Sequence, residues 1–271
     1  MPGNERIDFI AEGLPQLLES ARGFHIAAQS VPDRPREAEV LEGFAKEESA
    51  KILILLDAVR CPPKLLHARI GPILANFYSH LARLIYAEAV SWKPAVVSEL
   101  RRYINNERKT HYLEGDYGEY ILPNATLFSR EAQMYVDIAA DEDGKPHWHQ
   151  PEYQARILPT QSRSILDLAE ALDALGLLMP TGLKAISEVW GDLDFQDEVH
   201  WAEAEARISA TTGRVNTDNL AKPHGEQKHA DLLHERWQFP MYNIDFRQII
   251  VTEAEMESER QSILYREIGG I

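Results

Sequence analysis

Cysteine is all but missing from this chain. Cys61 stands alone among 271 residues, which excludes an internal disulfide framework and any multi-cysteine zinc site. Long apolar runs are missing as well. No stretch approaches the roughly 18 uninterrupted apolar residues of a membrane span. The opening MPGNERIDF carries acids where a secretory leader needs an apolar run. The reading is a soluble chain of the reducing cytoplasm, with no membrane partner. Positive charge is scarce: 28 Lys and Arg face 43 Asp and Glu, a net charge of −15. Such a chain as a whole repels a phosphate backbone rather than coating it. There is no Gly-x-Gly-x-x-Gly, P-loop or Gly-x-Ser-x-Gly, so nucleotide cradles and serine hydrolases of those types drop out. What remains is an ordinary globular composition, 44% hydrophobic and 26% charged, with length for one large domain or two small ones.

The scarce bases are not evenly spread. Between residues 58 and 111 nine of them (Arg60, Lys64, Arg69, Arg83, Lys93, Arg101, Arg102, Arg108 and Lys109) meet only three acids (Glu88, Glu99 and Glu107), so this stretch is +6 and the rest −21. It is either a local face for phosphate groups or an RNA strand, or a set of helix faces neutralised by acids from neighbouring elements.

Apolar periodicity predicts a mainly α fold. Ile10, Leu14, Leu17, Ala21, Phe24 and Ala28 mark a first helix ending near Ser30. A second is predicted over 36–59, stopped by Cys61-Pro62-Pro63 because proline lacks the amide a helix needs. A third covers 65–91 and a shorter fourth 94–106, with connections short enough for antiparallel neighbours in a bundle. Met134–Ile138 and Pro146–His149, flanking the turn Asp141-Glu142-Asp143-Gly144-Lys145, predict a small β-hairpin. Helices resume over 162–178 and 181–206, followed by a polar loop over 209–225. A helix over 226–237, a strand over 246–251 and an acidic helix from Glu253 complete the reading. It divides the chain into a helical domain over 1–208 and a loop plus C-terminal extension over 209–271.

The second helix carries the most informative residues. Glu48 falls on the stripe of Leu41, Ala45, Ile52 and Leu55, and a carboxylate among core positions needs a partner. Glu47 and Lys51 stand four apart, in the favourable order for a pair within the helix. The expected partners of Glu48 are His80 and Arg83, which border the apolar stripe of the third helix. Such a cluster can hold a phosphodiester and orient a general base, or merely fix helix register.

The runs GFAKEESAKILILLDAV and FYSHLARLIYAE, and Arg130-Glu131-Ala132-Gln133-Met134-Tyr135-Val136-Asp137 with Trp148 and Pro151 beyond, resemble the AbiV group of abortive-infection proteins, within the HEPN superfamily. The resemblance spans roughly residues 5–205. It implies an HEPN-like antiparallel helical bundle, often dimeric, in anti-phage defence. It also implies, for many members, metal-independent RNA cleavage by an Arg-x(4–6)-His motif; other members bind nucleotides or partner proteins without cutting. Here the one match to that motif is Arg60 to His67, interrupted by Pro62-Pro63, while His80 and Arg83 carry the same groups in reverse order.

The resulting expectation is a groove between the second and third helices. There Glu48 orients His80, Arg83 and Lys51 hold phosphate, and Arg60, His67, Arg69 and Arg130 add contacts to RNA or a nucleotide. No cofactor and no metal are expected, and a homodimer is. The rival is a non-catalytic helical module binding a phage or host protein, with the acidic Glu253, Glu255, Glu257 and Glu259 suited to a basic partner. Two acid-x-x-His pairs, Asp197/His200 and Glu226/His229, match half of a di-metal centre. His147-Trp148-His149 lacks a third ligand at diagnostic spacing, and Cys61 lacks a base to activate it.

Overall fold

A computed structural model describes residues 3–115, 118–140, 144–151 and 162–269. It is mainly helical, with eleven helices and two small antiparallel hairpins among those residues. Helix α1 (Gly3–Gln29) turns through VPDRP into α2 (Pro35–Arg60), and the two pack along one another. Pro35 opens α2, where its missing N–H would have no partner anyway, and Pro62 closes it. Helix α3 (Pro63–Tyr78) begins on the second proline.

The long third helix of the sequence reading is in fact two. Ser79 is extended, with φ −87° and ψ 120°, and its hydroxyl accepts from the Ala82 amide as the cap of α4 (His80–Ala89). Helical periodicity continues through the break, but the serine ends one helix and starts the next. His80 therefore occupies the first turn of a helix, at the positive end of its dipole.

Helix α5 (Val97–Glu107) follows, then a hairpin that the periodicity did not reveal, β1 (His111–Glu114) with β2 (Tyr120–Pro123). Helix α6 (Ala125–Met134) was likewise unforeseen; it starts on Asn124, whose side chain accepts from the Leu127 amide. The expected hairpin exists, its first strand two or three residues late as β3 (Asp137–Ala140) and its second where expected as β4 (Pro146–His149), pairing Ile138 with Trp148. Residues 141–143 of its turn lie outside the described residues; Gly144 has φ +75°.

The helix predicted over 162–178 ends earlier, as α7 (Ser162–Ala174). Gly176 turns the chain there with φ +70°, and a Cβ on it would lie 2.0 Å from the Leu220 carbonyl oxygen. The helix predicted over 181–206 is two, α8 (Pro180–Trp190) and α9 (Trp201–Thr217), so half of the expected loop over 209–225 is helical. Helix α10 (Gln227–Arg236) and the acidic α11 (Glu253–Gly269) stand where expected. The strand expected over 246–251 is a single parallel bridge, Lys109 to Ile249.

One continuous core joins α1–α5 and α7–α10, and the segment 237–246 belongs to it through buried Trp237, Phe239, Met241, Tyr242, Ile244 and Phe246. At its centre α2 is surrounded, touching α1, α3, α4, α6, α7 and α8. From Ser49 onward only Lys51 and Leu55 of this helix are not buried.

Candidate functional site

The crowding around α2 decides which acid meets the histidine. It is Glu47, not Glu48. Glu47 is 3% exposed. Its Oε2 accepts from His80 Nδ1 at 2.7 Å and from Arg83 Nη1 at 2.8 Å; its Oε1 accepts from Arg130 Nε at 2.7 Å. Three elements thus converge on one carboxylate: α2 supplies the acid, the first turn of α4 the imidazole and a guanidinium, and α6 a second guanidinium. Glu48 is half-buried and pairs with Lys51 three residues on, at 2.5 Å. Lys51 therefore does not pair with Glu47, and its ammonium also lies 5.5 Å from the centre of the Phe77 ring.

The misassignment has a physical cause. A single apolar stripe identifies the buried side of a helix that keeps one face in water. Helix α2 keeps little such face, so the position next to the stripe is equally enclosed, against α4 and α6. No periodicity argument separates residues 47 and 48 on a helix of this kind. Arg130, expected to contact RNA on its own, was not foreseen as the third member of the cluster; the signal would have been α6 itself.

The remaining expected residues separate. Arg60 is 2% exposed, bonded to Asp57 and to the Gln238 carbonyl, with its guanidinium carbon 4.9 Å and 5.0 Å from the ring centres of Trp190 and Trp237. Enclosed on both faces, it cannot reach a phosphate, which removes Arg60 as an RNA contact and with it the Arg60–His67 motif. His67 is exposed on α3. Arg69 lines a different cleft, with Asn76 and the segment 242–247. Several bases of the positive stretch are neutralised by acids distant in sequence, Arg101 by Asp197 and Arg108 by Asp245. Glu226 and His229 form a reciprocal cap at the start of α10, and Asp197 is taken by Arg101. Among the described residues no group of three or more His, Cys, Asp or Glu could hold a metal ion. Burial pushes the Cys61 thiol up to about 12, leaving it protonated and inert.

Electrostatically the cluster is lopsided. One carboxylate faces two arginines and a histidine, so it carries excess positive charge. The imidazole nitrogen on a carboxylate carries the hydrogen, which leaves Nε2 of the neutral ring as an acceptor. The His80 side chain is 50% exposed, and Nε2 has no protein partner among the described residues. Arg83 gives its two terminal nitrogens to Glu47 and the Tyr78 carbonyl, and its buried Nε has no partner among the described residues. Arg130 gives only Nε to Glu47; its two terminal nitrogens bond to none of the described residues.

Arg130 and Glu47 also line a small cleft of about 80 Å³ between α2, α4 and α6, with Lys46, Glu88, Thr126 and Gln133. Lys46 reaches Glu88 at 3.4 Å. His80 and Arg83 are not among its walls. Within reach of one another, then, are a solvent-facing imidazole oriented by a buried carboxylate and a partly unspent guanidinium, which are the groups for general base catalysis and for holding an anion. The chain matches no family model, no curated protein and no solved structure.

Proposed function

We propose that this chain is an HEPN-type helical protein of the AbiV kind, acting on RNA in anti-phage defence, with Glu47, His80, Arg83 and Arg130 as its working cluster. The observation that carries the reading is the His80 ring, tied at Nδ1 to buried Glu47 while its other nitrogen meets solvent. In this reading Nε2 takes the proton of an RNA 2′-hydroxyl. The freed oxygen attacks the adjacent phosphorus, the 5′-oxygen leaves, and a 2′,3′-cyclic phosphate remains. Glu47 holds the ring in the productive tautomer and favours the imidazolium that forms. The terminal nitrogens of Arg130 supply donors to the phosphate oxygens. A homodimer would bring two such sites to one strand.

The test is direct. Purified protein incubated with cellular RNA is expected to yield fragments ending in cyclic phosphate, and His80→Ala to lower the rate by at least about a hundredfold. RNA left intact by the wild type defeats the catalytic reading.

A second reading has its own support: His80, Arg83 and Arg130 all donate to one nearly fully buried carboxylate, and Arg83 additionally ties α4 to the last turn of α3. A cluster so arranged locks α2, α4 and α6 together, and the protein then works by binding a phage or host protein. Under that reading His80→Ala lowers the melting temperature and no RNA is cut.

A further inference from the structure

Helices α1 and α3 both pack on α2, and between them runs an apolar groove of about 440 Å³. Phe9, Gly13 and Leu17 wall it on the α1 side, Leu74 and Tyr78 on the α3 side, and Leu55 of α2 lines it as well. It shares no wall residue with the cleft beside Glu47. Phe9 is 65% exposed, Leu74 43% and Tyr78 74%. A single exposed apolar residue needs no explanation, but three of them around one groove mark a binding surface. Gly13 widens the opening. It sits in the middle of α1, where glycine weakens a helix, and a Cβ on it would meet nothing within 4 Å.

Charge gives this groove one acidic edge. Glu12 is its only charged wall residue. Glu5, Glu12 and Glu19 stand seven apart on α1, and so form one line along the helix. All three are exposed, and none of their carboxylates pairs with a described residue. The line runs about 21 Å, whereas the α1 wall, from Phe9 to Leu17, covers about 12 Å. The acids thus continue past both ends of the groove, farther than a small molecule seated in it reaches. The same acids repel a nucleic acid or an anionic membrane surface.

We infer that the groove takes a basic amphipathic helix of another protein, laid along α1. Apolar side chains at i, i+3 or i+4 and i+7 of such a helix span about 10 Å, which the apolar walls accommodate. Lysines and arginines on its flank would face Glu5, Glu12 and Glu19. The missing side chain of Gly13 lets the incoming helix come close.

Fluorescence anisotropy tests this with a labelled peptide of about 18 residues, long enough to hold a helix, with leucines on one face and lysines beside them. The full chain is expected to bind it saturably. A copy with glutamates for the lysines is expected to bind about tenfold more weakly or worse, as is a scrambled copy whose leucines are spread round the helix. Gly13→Leu fills the groove with a better helix former, and Leu74→Glu puts a charge on its wall. Each is expected to lower the affinity for the lysine peptide by about tenfold or more, with the circular dichroism spectrum unchanged. Replacing all three acids (Glu5→Lys, Glu12→Lys, Glu19→Lys) is expected to reverse the preference, so that the glutamate peptide binds more tightly. Cleavage of RNA is no part of the readout, so the outcome is independent of the Glu47 cluster. Absence of saturable binding of the lysine peptide, or full affinity in a folded Gly13→Leu or Leu74→Glu protein, overturns the proposal. A triple variant that still prefers the lysine peptide overturns its charged half. Self-association of the chain that Gly13→Leu abolishes would assign the groove to a second copy, and overturns it too.

Discussion

Helix α2 buries two carboxylates ten residues apart, Glu47 and Asp57, and each takes hydrogen bonds from three donors, an arginine among them. Asp57 is fully enclosed, accepting from Arg60, from the Tyr86 hydroxyl at 2.7 Å and from the Met241 amide at 2.7 Å. Its arginine lies between Trp190 and Trp237 and reaches on to the Gln238 carbonyl, whose side chain in turn donates to the carbonyls of Ala89 and Trp92. Every side chain in that chain of bonds is buried, and its effect is to clasp the segment 237–246 to the bundle. Around Glu47 the same kinds of group lead outward, to a half-exposed imidazole and to a guanidinium with donors to spare. The difference teaches that a buried acid with an arginine on it is not in itself a functional signal. What separates lock from site is whether its partners still face solvent.

The largest effect that would test this contrast belongs to the lock. Arg60→Ala is expected to cost about 3–5 kcal/mol, because it strands Asp57 without its cation in the core and opens the space between two tryptophans. Chemical denaturation would measure it. A loss near that for a surface substitution would show that the Asp57 cluster is not what holds segment 237–246. Glu47→Ala comes next, at about 2–3 kcal/mol, since Arg83 and Arg130 lose their shared acid while the cleft admits water to one of them. A larger loss than that of Arg60→Ala would reverse the comparison.

His80→Ala is smaller again in stability and sharper in meaning. A half-exposed histidine on a carboxylate is worth under about 1 kcal/mol. The melting temperature should therefore shift little while any RNA cleavage disappears. If instead the protein melts many degrees lower, the imidazole belongs with Arg60 among the structural partners, and the binding-module reading gains.

Much of this was legible in the sequence, and the rest failed for identifiable reasons. The proline pair at 62–63 told where α2 ends, and an acid on α2 meeting His80 and Arg83 followed from placing a carboxylate near a core stripe. The breaks at Ser79 and at Gly191–His200 were hidden, because apolar spacing continues across them and a capping serine looks like any other polar residue. Segment 237–246 falls in the expected C-terminal extension because the polar stretch over 209–225 precedes it; it is buried by aromatics inserted singly, and no repeat announces that. Arg60 was misjudged for a related reason. A base in a positive stretch looks solvated until the distant Trp190 and Trp237 are known to enclose it.

The smallest effect concerns an acid that has neither kind of partner. Glu107, at the end of α5, has no salt bridge among the described residues; its one side-chain hydrogen bond there comes from the Thr126 hydroxyl at 3.3 Å. Burial, and then repulsion from Glu88, raise its carboxyl above the ordinary glutamate range. The folded protein thus holds this proton more tightly than the unfolded chain does. Stability from this group is fully present below the unfolded value, declines as pH rises through the raised folded one, and at neutral pH the ionised acid is a net penalty. Glu107→Gln removes that penalty while keeping an acceptor for Thr126. The variant should melt slightly above the wild type at pH 7, with the gap closing towards pH 4. A gap that persists at pH 4 would mean that the gain comes from packing. No gap at either pH would mean that Glu107 is hydrated, and that the charge of a half-buried acid on this side of the bundle is cheap even without an arginine.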